Sequence, residues 1–145
     1  MDAKPLEILL VEDNEDDAVL IQEGFHSIRL MNVVQVVRDG IEAMDYLKKR
    51  PPYENVAKPG IVLLDINMPR MNGFEVLQAM KADTELKPIP VVMLTTSSRE
   101  EDVVKAFSDG AASYISKPAG LGALNDVVAQ FGLYWTITSK TPRTE

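Results

Sequence analysis

Short apolar runs that alternate with helix-compatible stretches most strongly limit how this chain can fold. The segments Ile8-Leu9-Leu10-Val11 and Ile61-Val62-Leu63-Leu64 contain no polar residue. Runs of this length and composition are typical of strands that are buried on both faces. Because each strand is followed by a helical pattern and a short turn, the sequence predicts a parallel sheet with helices on both of its faces.

The predicted elements form five strand–helix units. We expect strands over 6–12, 33–37, 61–65, 91–94 and 113–116, and helices after Asn14 and over 41–49, 73–82, 99–108 and 120–131. Right-handed crossovers leave few arrangements for such a chain. The sequence therefore predicts an α/β fold with a doubly wound, five-stranded parallel sheet in the order 2-1-3-4-5. The switch point of this sheet lies between the first and third strands.

Apolar spacing also predicts which helical side chains face the core. Residues 19–21 and Phe25 supply the apolar positions of the first helix. The second helix is expected to bury Ile41, Met44 and Leu47, with Asp39-Gly40 as a turn before it and Pro51-Pro52 ending it. The third is expected to bury Phe74, Leu77 and Met80.

Acidic residues follow the two strands that flank the switch point. Glu12 and Asp13 come after the first strand, and Asp65 closes the third. Ligands of open α/β sheets bind at the carboxyl ends of the strands. Three carboxylates gathered there would repel one another unless a cation lies between them. The pattern therefore predicts a Mg²⁺ site with a reactive aspartate, Asp65.

Composition argues against several other classes of protein. The formal net charge of −7 and the absence of a basic stripe argue against nucleic-acid binding, which depends on Lys and Arg. No apolar stretch approaches the roughly 18 residues of a membrane span. The N-terminus lacks the features of a secretory signal, and there is no cysteine for a disulfide framework or a thiolate metal site. We expect a cytoplasmic location.

Four groups of residues, in this order along the chain, resemble the response-regulator receiver domains of two-component signalling. The resemblance covers about residues 6 to 132 and implies the flavodoxin-like receiver fold. Each group alone is a weak signal, but the four together are highly specific. They are Glu12-Asp13, Asp65 with Met68-Pro69 and Gly73, Thr95, and Lys117-Pro118.

The resemblance assigns a role to each of these residues. Asp65 would be the phosphoacceptor that takes a phosphoryl group from a histidine kinase. Lys117 and Thr95 would contact the phosphoryl oxygens, Tyr114 would be the switch aromatic, and Lys117-Pro118 would be a cis bond. Mg²⁺ would be the cofactor, bound by the Asp13 and Asp65 carboxylates, by the backbone carbonyl of Asn67, and by Glu12 through water.

Less specific interpretations remain open for the single residues. Asp65 alone could form a turn, Lys117 could be a solvated surface residue, and Thr95 and Tyr114 could only pack within strands. A Mg²⁺-dependent aspartyl-phosphate phosphatase is one alternative for the whole chain, although Asn67 stands where that family has its acid–base Asp. A pseudo-receiver that binds partners without phosphorylation is another. We expect no enzyme activity beyond self-phosphorylation from a donor and slow self-dephosphorylation.

The long loop over 50–60 and the apolar C-terminal residues are similar to those of stand-alone receivers associated with phytochrome-type histidine kinases. We expect a receiver domain over 1–132 and a C-terminal extension over 133–145, with no output domain. A sensor histidine kinase, acting in a phosphorelay, is the expected partner. An apolar stripe also predicts a homodimer, with the kinase as the rival occupant of that surface. The stripe consists of Leu121, Leu124, Val127, Val128 and Phe131, and it continues to Tyr134 and Trp135.

Overall fold

The computed structural model describes residues 6–27, 32–95 and 100–116. In these ranges five strands alternate with four helices. They are β1 (Leu6–Val11), α1 (Glu15–Ser27), β2 (Asn32–Val37), α2 (Gly40–Leu47), β3 (Ile61–Leu64), α3 (Gly73–Lys81), β4 (Val91–Thr95), α4 (Glu100–Ser108) and β5 (Ser113–Ser116). The predicted helix over 120–131 lies outside the described residues.

The five strands form one parallel sheet in the order β2-β1-β3-β4-β5, which confirms the predicted topology. Val11 lies opposite Val37 of β2 and Leu64 of β3, so these three strands end at one level. The hydrogen bonding continues one residue further. The Glu12 amide donates to the Val37 carbonyl at 3.0 Å, and the Asp65 amide donates to the Val11 carbonyl at 3.1 Å. Glu12 and Asp65 are therefore neighbours at the carboxyl edge of the sheet.

Both faces of the central strands are buried over residues 8–11 of β1 and 61–64 of β3, which explains why these segments are continuously apolar. Alternate side chains of β1 and β3 belong to different core clusters, because successive residues of a strand point to opposite faces. Leu9, Val11, Val62 and Leu64 pack with buried residues of α2 and α3 and with Ala106 of α4. The other alternate residues pack with Ala18 and Ile21 of α1; they are Ile8, Leu10, Ile61 and Leu63.

The first helix begins as the sequence indicates. The Asp17 amide donates to Asn14 Oδ1 at 3.0 Å, so Asn14 caps the helix, and three acidic residues occupy its first turn. Ile21 is buried as expected, but Val19 is exposed. The apolar face of α1 is therefore narrower than the sequence predicts.

The second helix differs from the prediction at both ends. Asp39 is its N-cap rather than part of a turn, because the side chain of Asp39 accepts from the Glu42 amide and Gly40 is already helical. Ile41 is 40% exposed, so its predicted place in the core is wrong. Met44 and Leu47 are buried as predicted, and the buried face also includes Gly40, Ala43 and Tyr46. The helix ends at Leu47, before Pro51, and Lys49 beyond its end has a left-handed φ of 57°.

The third helix follows the prediction to within one residue. Asn72 and Glu75 form a capping box at its start, in which each side chain accepts from the other residue's amide. Phe74, Leu77 and Met80 are buried as predicted. Ala82, the predicted last residue, is the C-cap. None of the helices in the described ranges is both long and apolar enough to cross a bilayer.

Replacing Met44 or Ile41 by alanine tests which side of α2 faces the core. Met44 is 8% exposed, so Met44→Ala should lower the free energy of unfolding by about 2–4 kcal/mol. Ile41→Ala is the matched control in the same helix and should cost less than about 1 kcal/mol, since Ile41 already contacts water. Urea denaturation measures both values. Equal losses would show that Ile41 does pack in the core.

Candidate functional site: an acidic cluster at the edge of the sheet

The ends of β1 and β3 bring three carboxylates together. One oxygen from each of Glu12, Asp13 and Asp65 can be chosen so that all three lie within 4.8 Å of one another. Glu12 is 1% exposed and Asp65 is 5% exposed, whereas Asp13 is open to solvent. The structure thus assembles three of the predicted site residues into a cluster with one open side.

Backbone amides hold the two buried carboxylates in place. The Asn14 amide donates to Glu12 Oε2 at 3.1 Å, and the Asn67 amide donates to Asp65 Oδ1 at 3.4 Å. Each donor follows its acceptor by two residues, so the chain folds back at once after each strand. Asn67, the predicted carbonyl ligand, is therefore brought directly beside Asp65.

The set of donor atoms in this cluster fits a hard divalent cation. Three carboxylates this close together repel one another strongly when ionised. Carboxylate oxygens are the ligands that Mg²⁺ and Mn²⁺ prefer, and Mg²⁺ usually keeps several waters, which the solvent at exposed Asp13 can supply. Among the described residues, the cluster therefore has the composition and the spacing of a divalent-metal site.

Gly73 allows α3 to begin against the strand that ends at Asp65. A Cβ atom at this position would lie 2.3 Å from the Asp65 carbonyl oxygen and 2.9 Å from the Ile66 Cα. The Gly73 amide also donates to the Ile66 carbonyl at 2.9 Å. The sequence pattern identified Gly73 only as part of a motif. The structure shows that a side chain here would displace the backbone of Asp65.

The remaining predicted residues are described only in part. Thr95 is the last residue of β4 and lies opposite Ser116, while Tyr114 lies in β5 opposite Met93. Because Met93 is level with Leu64, β4 ends on the same side of the sheet as the acidic cluster, and β5 ends level with β4. The side chains of Thr95 and Tyr114, the whole of Lys117 and the predicted cis Lys117-Pro118 bond lie outside the described residues. Their roles stay predictions.

An ion pair between the loops that follow β2 and β3 was not predicted from the sequence. Arg70 Nε donates to Asp39 Oδ2 at 3.1 Å, and Arg70 Nη2 donates to the same oxygen. Burial alone would raise the pKa of Asp39, but the hydrogen bonds from the Glu42 amide and Arg70 outweigh it, and the pKa is lowered. Arg70 has a left-handed φ of 68°, a conformation that costs a non-glycine residue about 1–3 kcal/mol.

A second polar contact, also missed, fixes the long loop before β3. The Tyr53 hydroxyl donates to Glu42 Oε2 at 2.6 Å, and the Arg38 amide donates to Glu42 Oε1 at 2.8 Å. Glu42 raises the pKa of Tyr53 to about 12, with a further contribution from burial. The Tyr53 ring also packs on Tyr46, with 5.1 Å between the ring centroids. Neither pairing could be inferred from sequence spacing.

Comparison with known families agrees with the geometry. The model of the response regulator receiver domain matches residues 8–129. The chain therefore belongs to the response-regulator receiver family, and its function is that of a receiver in two-component signalling. This result confirms the fold and the function that the sequence predicted, and it does not favour the phosphatase alternative.

Similar proteins include phytochrome response regulators. The chain is 38% identical to the response regulator Rcp1 of Synechocystis sp. over 95% of its own length and 94% of Rcp1. The crystal structure of the phosphorylated cyanobacterial phytochrome response regulator RcpA superposes with a TM-score of 0.90 at 40% identity, covering 97% of this chain and all of RcpA. The Mn²⁺-bound form of Rcp1 gives a TM-score of 0.89 at 37% identity, covering 96% of this chain and all of that structure.

Proposed function

We propose that Asp65 accepts a phosphoryl group from a histidine kinase in the presence of Mg²⁺. The observation that most directly supports this proposal is the group of three carboxylates at the ends of β1 and β3, in which Asp65 is nearly buried. Asp13, Asp65 and the Asn67 carbonyl would hold the metal directly, and Glu12 would contact it through water. The similar protein Rcp1 crystallises in a Mn²⁺-bound form, which supports binding of a divalent cation by this chain.

The chain's own groups would carry out the transfer. An Asp65 carboxylate oxygen forms the new bond to phosphorus while the bond from phosphorus to the kinase histidine nitrogen breaks. The amide of Asn67 and the pairing of Asp65 with Val11 hold the nucleophile still, which matters because phosphoryl transfer depends mainly on positioning. Bound Mg²⁺ would neutralise the charge that gathers on the phosphoryl oxygens. Lys117 and Thr95 would contact the same oxygens, and Tyr114 would respond to the movement of Thr95.

We further propose a phytochrome-type histidine kinase as the partner, in the cytoplasm. The similarity to RcpA, a phytochrome response regulator that matches this chain along nearly its whole length, supports this choice. No enzyme activity beyond self-phosphorylation and slow self-dephosphorylation is proposed. The division into a receiver over 1–132 and an extension over 133–145 stays a prediction.

Incubation with acetyl phosphate and Mg²⁺ tests the assignment of Asp65. Intact mass spectrometry should find one added phosphate on the wild type and none on Asp65→Asn, because the amide is not a nucleophile toward phosphorus. Asp16→Asn, the same change at an exposed position in α1, is the matched control and should be labelled like the wild type. Equal labelling of Asp65→Asn would refute the assignment. An unlabelled wild type would favour the pseudo-receiver alternative.

A homodimer through the C-terminal face is the second proposal about partners. The predicted stripe over 121–135 lies outside the described residues. Within them, Val104 and Phe107 of α4 are 58% and 49% exposed, and their spacing places them on one side of the helix. Exposed apolar groups that lie together commonly mark interfaces, and two-fold pairing is the most frequent closed assembly.

Light scattering of the phosphorylated and unphosphorylated forms measures this association. We expect a dimer at roughly tens of micromolar, where a modest interface associates. Val104→Ala with Phe107→Ala should shift it toward monomer, because apolar contact area is lost. Val19→Ala with Ile41→Ala removes exposed apolar groups from α1 and α2 and serves as the control.

A second pair of changes addresses the predicted stripe itself. Phe131→Ala with Trp135→Ala should also weaken the dimer if the C-terminal residues form part of the interface. A monomeric wild type in both phosphorylation states would contradict the proposal. A dimer that only the control pair disrupts would place the interface on α1 and α2 instead.

A further inference from the structure

The contact between Arg70 and Asp39 joins two loops on either side of β1. Asp39 follows β2, and Arg70 lies in the segment between β3 and α3. Strands β2 and β3 do not touch, because β1 lies between them. The end of β1 carries Glu12 and Asp13, so this ion pair connects the loops that flank the acidic cluster.

Asp39 is a rigid point of attachment. Its side chain is buried, and Oδ1 accepts the Glu42 amide at 2.9 Å as the N-cap of α2. The other oxygen, Oδ2, accepts both Arg70 donors. Both oxygens of the carboxylate are therefore engaged, one by the helix and one by Arg70, and the guanidinium is bound to the start of a packed helix.

The backbones of the same two loops also meet. A Cβ atom on Gly40 would lie 2.3 Å from the Met71 carbonyl oxygen and 2.7 Å from the Met71 Cβ. The consecutive residues Asp39 and Gly40 thus contact the consecutive residues Arg70 and Met71. A contact that pairs an ion pair with close backbone packing fixes the relative position of the two loops more firmly than either alone.

The segment that Arg70 holds contains the expected carbonyl ligand. Ile66 and Met68 are buried and anchor its beginning, but Asn67 is exposed. Towards its tip, the Met71 amide donates to the Pro69 carbonyl at 2.7 Å, and Arg70 adopts its left-handed φ of 68°. Asn67 lies between the two buried residues, and Met68 alone separates it from the tip, so movement of the tip would reach the Asn67 backbone through Met68.

We propose that Arg70 and Asp39 act as a positioning pair that holds the segment over 66–72 in the conformation required for divalent-cation binding. This inference rests on the proposed function, since the cation is bound by the cluster and by Asn67. Arg70 is a positioning residue here, because its side chain is directed to Asp39. Residues that orient metal ligands without touching the metal commonly affect affinity about 10-fold or more.

Electrostatics and positioning predict opposite effects of removing the Arg70 charge. Loss of a positive charge near an acidic site should by itself tighten cation binding. Loss of the positioning contact should weaken it. The sign of the change in Mg²⁺ affinity in Arg70→Gln therefore separates the two effects. If Arg70 only stabilised the fold, its replacement would lower the melting temperature without weakening Mg²⁺ binding.

Isothermal titration calorimetry with Mg²⁺ alone, on the full chain, is the experiment. We expect the dissociation constant of Arg70→Gln to rise about 10-fold. Arg70→Lys keeps the charge but not the two donors, and should lie between Arg70→Gln and the wild type. Arg38→Gln is the matched control. It removes the positive charge of the residue that precedes Asp39, and the Arg38 side chain pairs with Glu15 of α1 at 3.5 Å. This change should leave the dissociation constant for Mg²⁺ unchanged or slightly lower.

Melting temperatures in EDTA show that each variant is folded before it is titrated. Affinity of Arg70→Gln equal to or tighter than that of the wild type would overturn the positioning role, as would an equal loss in Arg38→Gln. A wild type that binds no Mg²⁺ would overturn the metal site itself, and the inference with it. The phosphate labelling of Asp65 reports separately on the proposed function.

Discussion

The parallel pairing of β1 with β3, which forces Glu12, Asp13 and Asp65 together, is the constraint on which the functional site depends. The parallel pairing of β1 with β3 places Val11 level with Leu64, so the residues that follow must lie side by side. Their carboxylate oxygens come within 4.8 Å, two of them on nearly buried residues. The apolar packing of the strands on both faces holds these charges together, and a cation would relieve the cost.

The surrounding loops are built to keep this edge of the sheet open and fixed. Gly73 lets α3 start against the Asp65 backbone, and Gly40 lets α2 start against Met71. A side chain at either position would collide with that adjacent segment of the protein. The ion pair of Arg70 with Asp39 joins the same two loops. The strands place the carboxylates, and the helix starts fix the loops that surround them.

The sequence predicted the sheet and its acidic residues because both arise from local patterns. Unbroken runs such as Ile61–Leu64 show burial on both faces, and topology then places Asp65 beside Glu12. The prediction was wrong for Ile41 of α2, which is exposed although Met44 and Leu47 are buried as predicted. The buried face extends from Met44 away from Ile41, toward Gly40, Ala43 and Tyr46, which spacing of the large apolar residues alone did not indicate. The contact of Arg70 with Asp39 could not be predicted, since it joins loops 31 residues apart.

The effect of Mg²⁺ on stability tests the central claim that repulsion in this cluster is relieved by a cation. Thermal unfolding of the wild type at saturating Mg²⁺ should show a gain of about 1–3 kcal/mol over EDTA. Asp13→Ala should lose most of this gain and should melt higher than the wild type in EDTA, because one repelling charge is gone. Asp16→Ala, at an exposed position in α1, should keep the full gain. An Asp13→Ala variant that keeps the whole Mg²⁺ gain would contradict the account.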